Sequence, residues 1–113
     1  MFDSNGHIMS IPDGIICSIN SESISKKEHI FFKQTNPLGF ILFSRNFNNK
    51  RQLIDLINEL KNLTLNKSPF IFIDQEGGRV QRLKNSNFTN FPEQRFFGEL
   101  YKKIKKSLKN YHI

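Results

Sequence analysis

The sequence predicts an α/β fold built on a parallel sheet, and three observations carry that reading. Residues 15–19 (IICSI), 39–43 (GFILF) and 70–73 (FIFI) are apolar runs without alternation, the pattern of strands covered on both faces. Segments with helical periodicity separate these runs. The crossovers also have the length of βαβ units, whose connections are right-handed.

The elements follow in order. After the first run, Ser25 and Glu28 form a capping box, in which each side chain caps the other's backbone amide and opens a helix. Ile30, Phe31 and Gln34 continue that helix, and Asn36-Pro37 ends it because the residue before proline avoids helical geometry. Gly39 is expected to allow close packing near the start of the second strand. A second helix is expected from Asn48–Asn49, with Leu53, Leu56, Ile57 and Leu60 as its buried stripe. Residues 66–69 (NKSP) read as a loop before the third strand. A last helix starts near Pro92, where proline suits the first turn, and its stripe is Phe96, Phe97, Leu100, Ile104 and Leu108. Three βα units do not close a barrel; a (β/α)8 barrel takes about 250 residues. The predicted architecture is therefore an incomplete (β/α)8 TIM-type barrel, about its first three units, with no linker or repeat.

Composition agrees with a folded chain. The 113 residues are 37% hydrophobic, with twelve Phe and no Trp, enough for one modest core. The net charge is +7. Residues 101–113 hold five Lys and no acid, whereas residues 1–100 hold twelve Lys plus Arg against ten Asp plus Glu, a balance of +2. A nucleic-acid binder carries its basic stripe across the folded surface; here the charge sits in the tail, so no nucleic-acid partner is expected. A small basic non-catalytic module that contacts nucleic acid through that tail is the alternative reading. The single cysteine, Cys17, excludes an intrachain disulfide and reads as a core thiol. The first residues lack a basic segment followed by a long apolar one, and no apolar run approaches a membrane span. A cytoplasmic location and no membrane partner are expected.

The segment after the third run, Asp74-Gln-Glu-Gly-Gly-Arg-Val-Gln-Arg82, places two carboxylates and two guanidinium groups around a glycine pair. Loops after barrel strands form the active face, and such a constellation suits sugar hydroxyls, which donate and accept. Taken with residues 39–47 (GFILFSRNF), Phe91-Pro92 and residues 97–100 (FGEL), the string FIDQEGGRVQR resembles glycoside hydrolase family 3, in particular its bacterial β-N-acetylhexosaminidases, over about residues 11–101.

That resemblance implies a retaining glycosidase that removes terminal β-linked N-acetylglucosamine from cell-wall fragments in peptidoglycan recycling, without metal or cofactor. It implies substrate-binding roles for Asp74 and Arg82, both toward the N-acetylglucosamine ring. Arg45 and Asn46 would line or brace the site, and Glu76 and Arg79 would pair to hold the loop. A retaining enzyme needs a carboxylate nucleophile and an acid/base. The family is implied to use an Asp late in the barrel and a His on a mobile loop, with a Lys-His pair binding substrate. None of these occurs here: Asp3, Asp13, Asp55 and Asp74 are the only aspartates, and His7, His29 and His112 lie elsewhere. No catalytic residue is therefore assigned, and the chain alone is expected to be inactive. The domain reading is 1–113 as the N-terminal part of the family's barrel, with 102–113 a Lys-rich non-native tail of the kind that an early stop or frameshift produces. An exposed barrel edge predicts self-association.

Overall fold

The computed structural model describes residues 11–65 and 68–110. His7, His112, Asp3, the start of the expected 66–69 loop and the last three tail residues lie outside the described residues. The chain forms two compact units, Met1–Ile73 and Asp74–Ile113.

The first unit runs β1 (Asp13–Ser18), α1 (Lys26–Thr35), β2 (Pro37–Leu42), a 3-10 turn (Ser44–Asn46), α2 (Lys50–Leu63) and β3 (Phe70–Ile73). The three strands form one parallel sheet in the order β1-β2-β3. The capping box forms as expected: Ser25 Oγ accepts from the Glu28 amide at 3.2 Å, and Glu28 Oε2 accepts from the Ser25 amide at 2.9 Å. Asn36 closes α1 in the left-handed region, at φ 43°, which asparagine tolerates better than most residues. Pro37 then opens β2. Asn49 caps α2 by accepting from the Gln52 amide at 2.9 Å.

Register decides which side chains share a face. Cys17, Phe40 and Ile71 are partners, as are Ser18, Ile41 and Phe72, and Ile16, Gly39 and Phe70. Phe40 points to the helical side, where its ring meets Phe32 of α1 edge to face at 5.0 Å. Phe32, Phe40, Leu42, Ile19 and the α2 residues Leu53, Leu56, Leu60 and Leu63 are the buried apolar core. Cys17 is half-buried among them, and burial pushes its thiol up from the ordinary value, as a core thiol requires. Gly39 answers a packing demand: a Cβ there would lie 2.5 Å from the Phe70 carbonyl oxygen.

Burial of all three strands on both faces is not what the structure shows. Only β2 is largely buried; β1 is mostly exposed, and β3 alternates between exposed and half-buried. In β3, Phe70 and Phe72 stack on one another at 5.9 Å and remain 57% and 41% exposed. The cause is that helices cover one face, whereas no element of this unit covers the face that carries Ile16, Phe70 and Phe72.

The second unit holds a small antiparallel hairpin, β4 (Gln75–Gly77) and β5 (Val80–Gln81), then α3 (Gln94–Asn110). The hairpin is absent from the sequence reading. Helix α3 begins two residues after Pro92 and is exposed along its whole length.

The unequal burial makes a direct comparison possible. Phe40→Ala should lower unfolding free energy by about 3–5 kcal/mol. Phe72→Ala should cost only about 1 kcal/mol, the scale of an aromatic pair. Denaturant midpoints of the two variants would show the ordering.

Glu28 supplies a pH-dependent contribution. Burial alone would raise its carboxyl, but the amides of Ser25 and Asn20, the Ser25 hydroxyl and the charge of Arg45 outweigh burial and hold it below the ordinary 4.5. A depressed carboxyl stabilises the fold above its unfolded value, and that stability is lost as pH falls through the folded one. Glu28→Gln should therefore reduce stability at neutral pH and flatten its decline in acid, as read from melting temperature against pH.

Candidate functional site

Asp74 directly follows the last residue of β3, and the hairpin returns the chain so that Arg82 stands beside it. Arg82 Nη2 lies 3.4 Å from Asp74 Oδ2, and both side chains are about one-third exposed. Two charged groups are thus held together where a ligand in water can still reach them.

The backbone around this pair is fixed by two glutamines. Gln75 Oε1 accepts from the amides of Arg82 at 3.0 Å and Leu83 at 3.1 Å, and its Nε2 donates to the Leu83 carbonyl at 3.1 Å. The neighbour of Asp74 in the chain therefore grips the backbone of Arg82. Gln81 is 3% exposed. Its Nε2 donates to the carbonyls of Leu83 at 3.2 Å and Thr89 at 3.0 Å and to Asn90 Oδ1 at 3.1 Å, while its Oε1 accepts from the Phe91 amide at 3.0 Å.

The glycine pair makes the turn possible. Gly77 and Gly78 have φ of 92° and 59°, a region that L side chains rarely adopt. A Cβ on Gly77 would also collide with the carbonyl oxygens of Phe91 and Pro92, and the Gly78 amide donates to Phe91 O at 2.8 Å.

The expected Glu76–Arg79 pair does not form; among the described residues no ion pair joins them. Gln75 and Gln81 are register partners and share a face. Glu76 alternates away from Gln75, and Arg79 lies in the turn. The loop is held by part-buried amide hydrogen bonds in place of surface charges. The sequence reading missed both glutamines, and the only available signal was that they flank the glycine pair, two residues before it and three after.

Arg45 and Asn46 act as braces within the first unit. Asn46 is fully buried: its Nδ2 donates to the carbonyls of Ile19 at 2.8 Å and Ser21 at 2.7 Å, and its Oδ1 accepts from the Phe43 amide at 2.8 Å. Arg45 Nε donates to Ile19 O at 3.0 Å, and its guanidinium lies 4.9 Å from the Phe43 ring centroid. These bonds tie the segment after β1 to the segment after β2. His29 is half-buried on α1, and Asp55 pairs with Arg51 on the surface of α2 at 3.4 Å. Among the described residues, no three His, Cys, Asp or Glu side chains come together as metal ligands.

Gln81→Ala would remove the partner of the part-buried Leu83 and Thr89 carbonyls and of the Phe91 amide, at a cost of about 1–3 kcal/mol. The loss should be local. Hydrogen exchange is expected to show faster exchange at the Phe91 and Gly78 amides, with protection in β2 unchanged.

Comparison with known proteins places this loop in a wider context. The family profile described as Glycosyl hydrolase family 3 N terminal domain matches residues 8–110. A β-hexosaminidase of Haemophilus ducreyi is 43% identical over 88 residues, which is 78% of this chain and 25% of that protein. Another, from Actinobacillus pleuropneumoniae, is 36% identical over 93 residues, 82% of this chain and 26% of that protein. The crystal structure of NagZ from Neisseria gonorrhoeae in complex with N-trifluoroacetyl-D-glucosamine superposes with a TM-score of 0.74 at 34% identity, over 85% of this chain and 28% of that one. A family 3 β-N-acetylglucosaminidase from a Paenibacillus gives 0.59 at 30% identity, over 69% and 15%. The chain spans about a quarter of the length of the curated relatives it matches. With nearly all of its residues inside the family match and the glycine-turn loop after β3 in place, this chain belongs to glycoside hydrolase family 3, in the family's N-terminal domain.

Proposed function

We propose that the chain supplies the sugar-recognition loop of a β-N-acetylhexosaminidase, in which β1–β3 are the first three strands of a (β/α)8 barrel. In this reading Asp74 accepts hydrogen bonds from hydroxyls of an N-acetylglucosamine ring, and Arg82 donates to the same sugar. The observation that carries it is the half-exposed Asp74–Arg82 pair at the end of β3, the place where a barrel assembles its active face. Both oxygens of a carboxylate can accept, so Asp74 can hold Arg82 and still receive a hydroxyl. The relatives named for β-hexosaminidase activity support the substrate class, and a terminal N-acetylglucosamine of cell-wall fragments is the substrate proposed. The nucleophile and the acid/base of a retaining reaction find no counterpart among the 113 residues, so this chain contributes binding and positioning.

The test belongs in a closed barrel. Residues 1–100 are grafted onto the remaining barrel of a full-length relative, and kcat/KM is measured on a chromogenic N-acetylglucosaminide. Asp74→Ala or Arg82→Ala should each lower it by about tenfold to a hundredfold, since a hydrogen bond to a charged group contributes about 1.5–3 kcal/mol. The melting temperature should move by only a few degrees. If Asp74→Ala instead unfolds the chimera and leaves the specific activity of the folded fraction unchanged, Asp74 is structural and the assignment fails.

A further inference from the structure

The ladder of the hairpin pairs Gln75 with Gln81 and ends there. Arg82 stands one residue past it. Beyond the ladder, the Gln75 side chain takes over from the strand. Its Oε1 accepts from two successive amides, Arg82 at 3.0 Å and Leu83 at 3.1 Å, and its Nε2 donates to the Leu83 carbonyl at 3.1 Å. One side-chain amide thus offers residues 82–83 the acceptor and the donor that a neighbouring strand would offer.

The consequence reaches Asp74. A peptide bond joins Gln75 to Asp74, and a hydrogen bond joins it to the Arg82 backbone, so Gln75 links the two charged residues. Asp74 Oδ2 and Arg82 Nη2 are 3.4 Å apart, and each side chain is about one-third exposed. That is long for a charge-assisted hydrogen bond, and a contact so open to water holds its partners weakly. The pair is therefore placed from its backbone. Arg82 has a long side chain with many rotamers, so a small rotation at its backbone is magnified at the guanidinium. Gln81 does a different job, since its bonds run on to Leu83, Thr89, Asn90 and Phe91 and fold the loop onto itself.

Charge also suits a glutamine to position 75. A glutamate of the same length would lose the donor to the Leu83 carbonyl. It would also set a second carboxylate beside Asp74 to compete for the Arg82 guanidinium. The neutral amide leaves that guanidinium to Asp74 and to the ligand.

We propose that Gln75 is a positioning residue for sugar binding, which acts through Arg82 by holding its guanidinium in place beside Asp74. The inference rests on the reading of Asp74 and Arg82 as the sugar-binding pair, and it adds the residue that sets their geometry.

Gln75→Met keeps the length of the side chain and removes the three hydrogen bonds. In the chimera, the KM for the chromogenic N-acetylglucosaminide should rise about tenfold, the scale of a misplaced binding group. The kcat should change by less than about twofold, because a loss of binding alone spares it. A variant that only lost folded enzyme would lower kcat and leave KM unchanged. Added to Arg82→Ala, Gln75→Met should cost less than about a further twofold, because two residues acting as one unit are not additive. In the 113-residue chain, hydrogen exchange at the Arg82 and Leu83 amides should speed up, while the Phe91 amide, which Gln81 holds, keeps its rate. The proposal is overturned by an unchanged KM in Gln75→Met, by a fall in kcat alone, by the full loss recurring in the Arg82→Ala background, or by unchanged exchange at the two amides. Arg82→Ala by itself tells the two readings apart. If it leaves kcat/KM unchanged, the sugar-binding reading falls and this inference falls with it. If it lowers kcat/KM and Gln75→Met does not, only the role of Gln75 falls.

Discussion

The hydrogen bonding of β2 to strands on both sides is the constraint on which the first unit rests. Its backbone groups pair with β1 and β3, and Phe40 and Leu42 take the helical face into the core. For β3 to come close enough, position 39 must lack a side chain, because a Cβ there would meet Phe70's backbone. One glycine thus sets the approach of the strand from whose end the candidate site departs. The braces at Asn46 and Glu28 follow the same logic, since each holds a segment after β1 to an element next to β2.

The candidate site divides its labour between neutral amides, of which Gln81 is buried and Gln75 half-buried, and charged groups that are about one-third exposed. Gln75 and Gln81 bind backbone amides and carbonyls, so they fix geometry with no charge to desolvate. Asp74 and Arg82 keep about a third of their surface in water, so their charges remain open to a ligand. Had the loop been held by a buried Glu76–Arg79 ion pair, desolvation would have offset much of the attraction.

The parts legible in the sequence are those with local rules. The capping box at Ser25 and Glu28, the stop at Asn36-Pro37 and the stripe of α2 depend on spacings of one to four residues, and all are found. The close approach at Gly39 was also legible. The glutamine clamps were not, because Gln81 bonds residues eight to ten positions away and side chain to backbone bonds of that span leave no periodic trace. The β4–β5 hairpin, of three and two residues, is too short to show alternation. The exposure of Phe70 and Phe72 was hidden for another reason. Continuous apolar character marks a strand suited to cover on both faces, but it does not say that the cover lies within the same unit.

The same distinction applies to the two apolar surfaces that the described residues leave exposed. On the sheet, Ile16, Phe70 and Phe72 carry no neighbouring charge in their register positions: Gly39 and Ser18 accompany them, along with Ile41. Such a face is suited to apolar protein cover, as family membership implies for the face of a barrel strand. The α3 stripe is bordered by Lys103 and Lys105, whose stems can lie along an apolar contact while their ammonium groups stay in water. An apolar stripe backed by a charged arc is the pattern of a helix that packs one side on protein and leaves the other to solvent. On both surfaces the apolar character shows that cover is suited, and the cover lies outside the unit that carries the stripe.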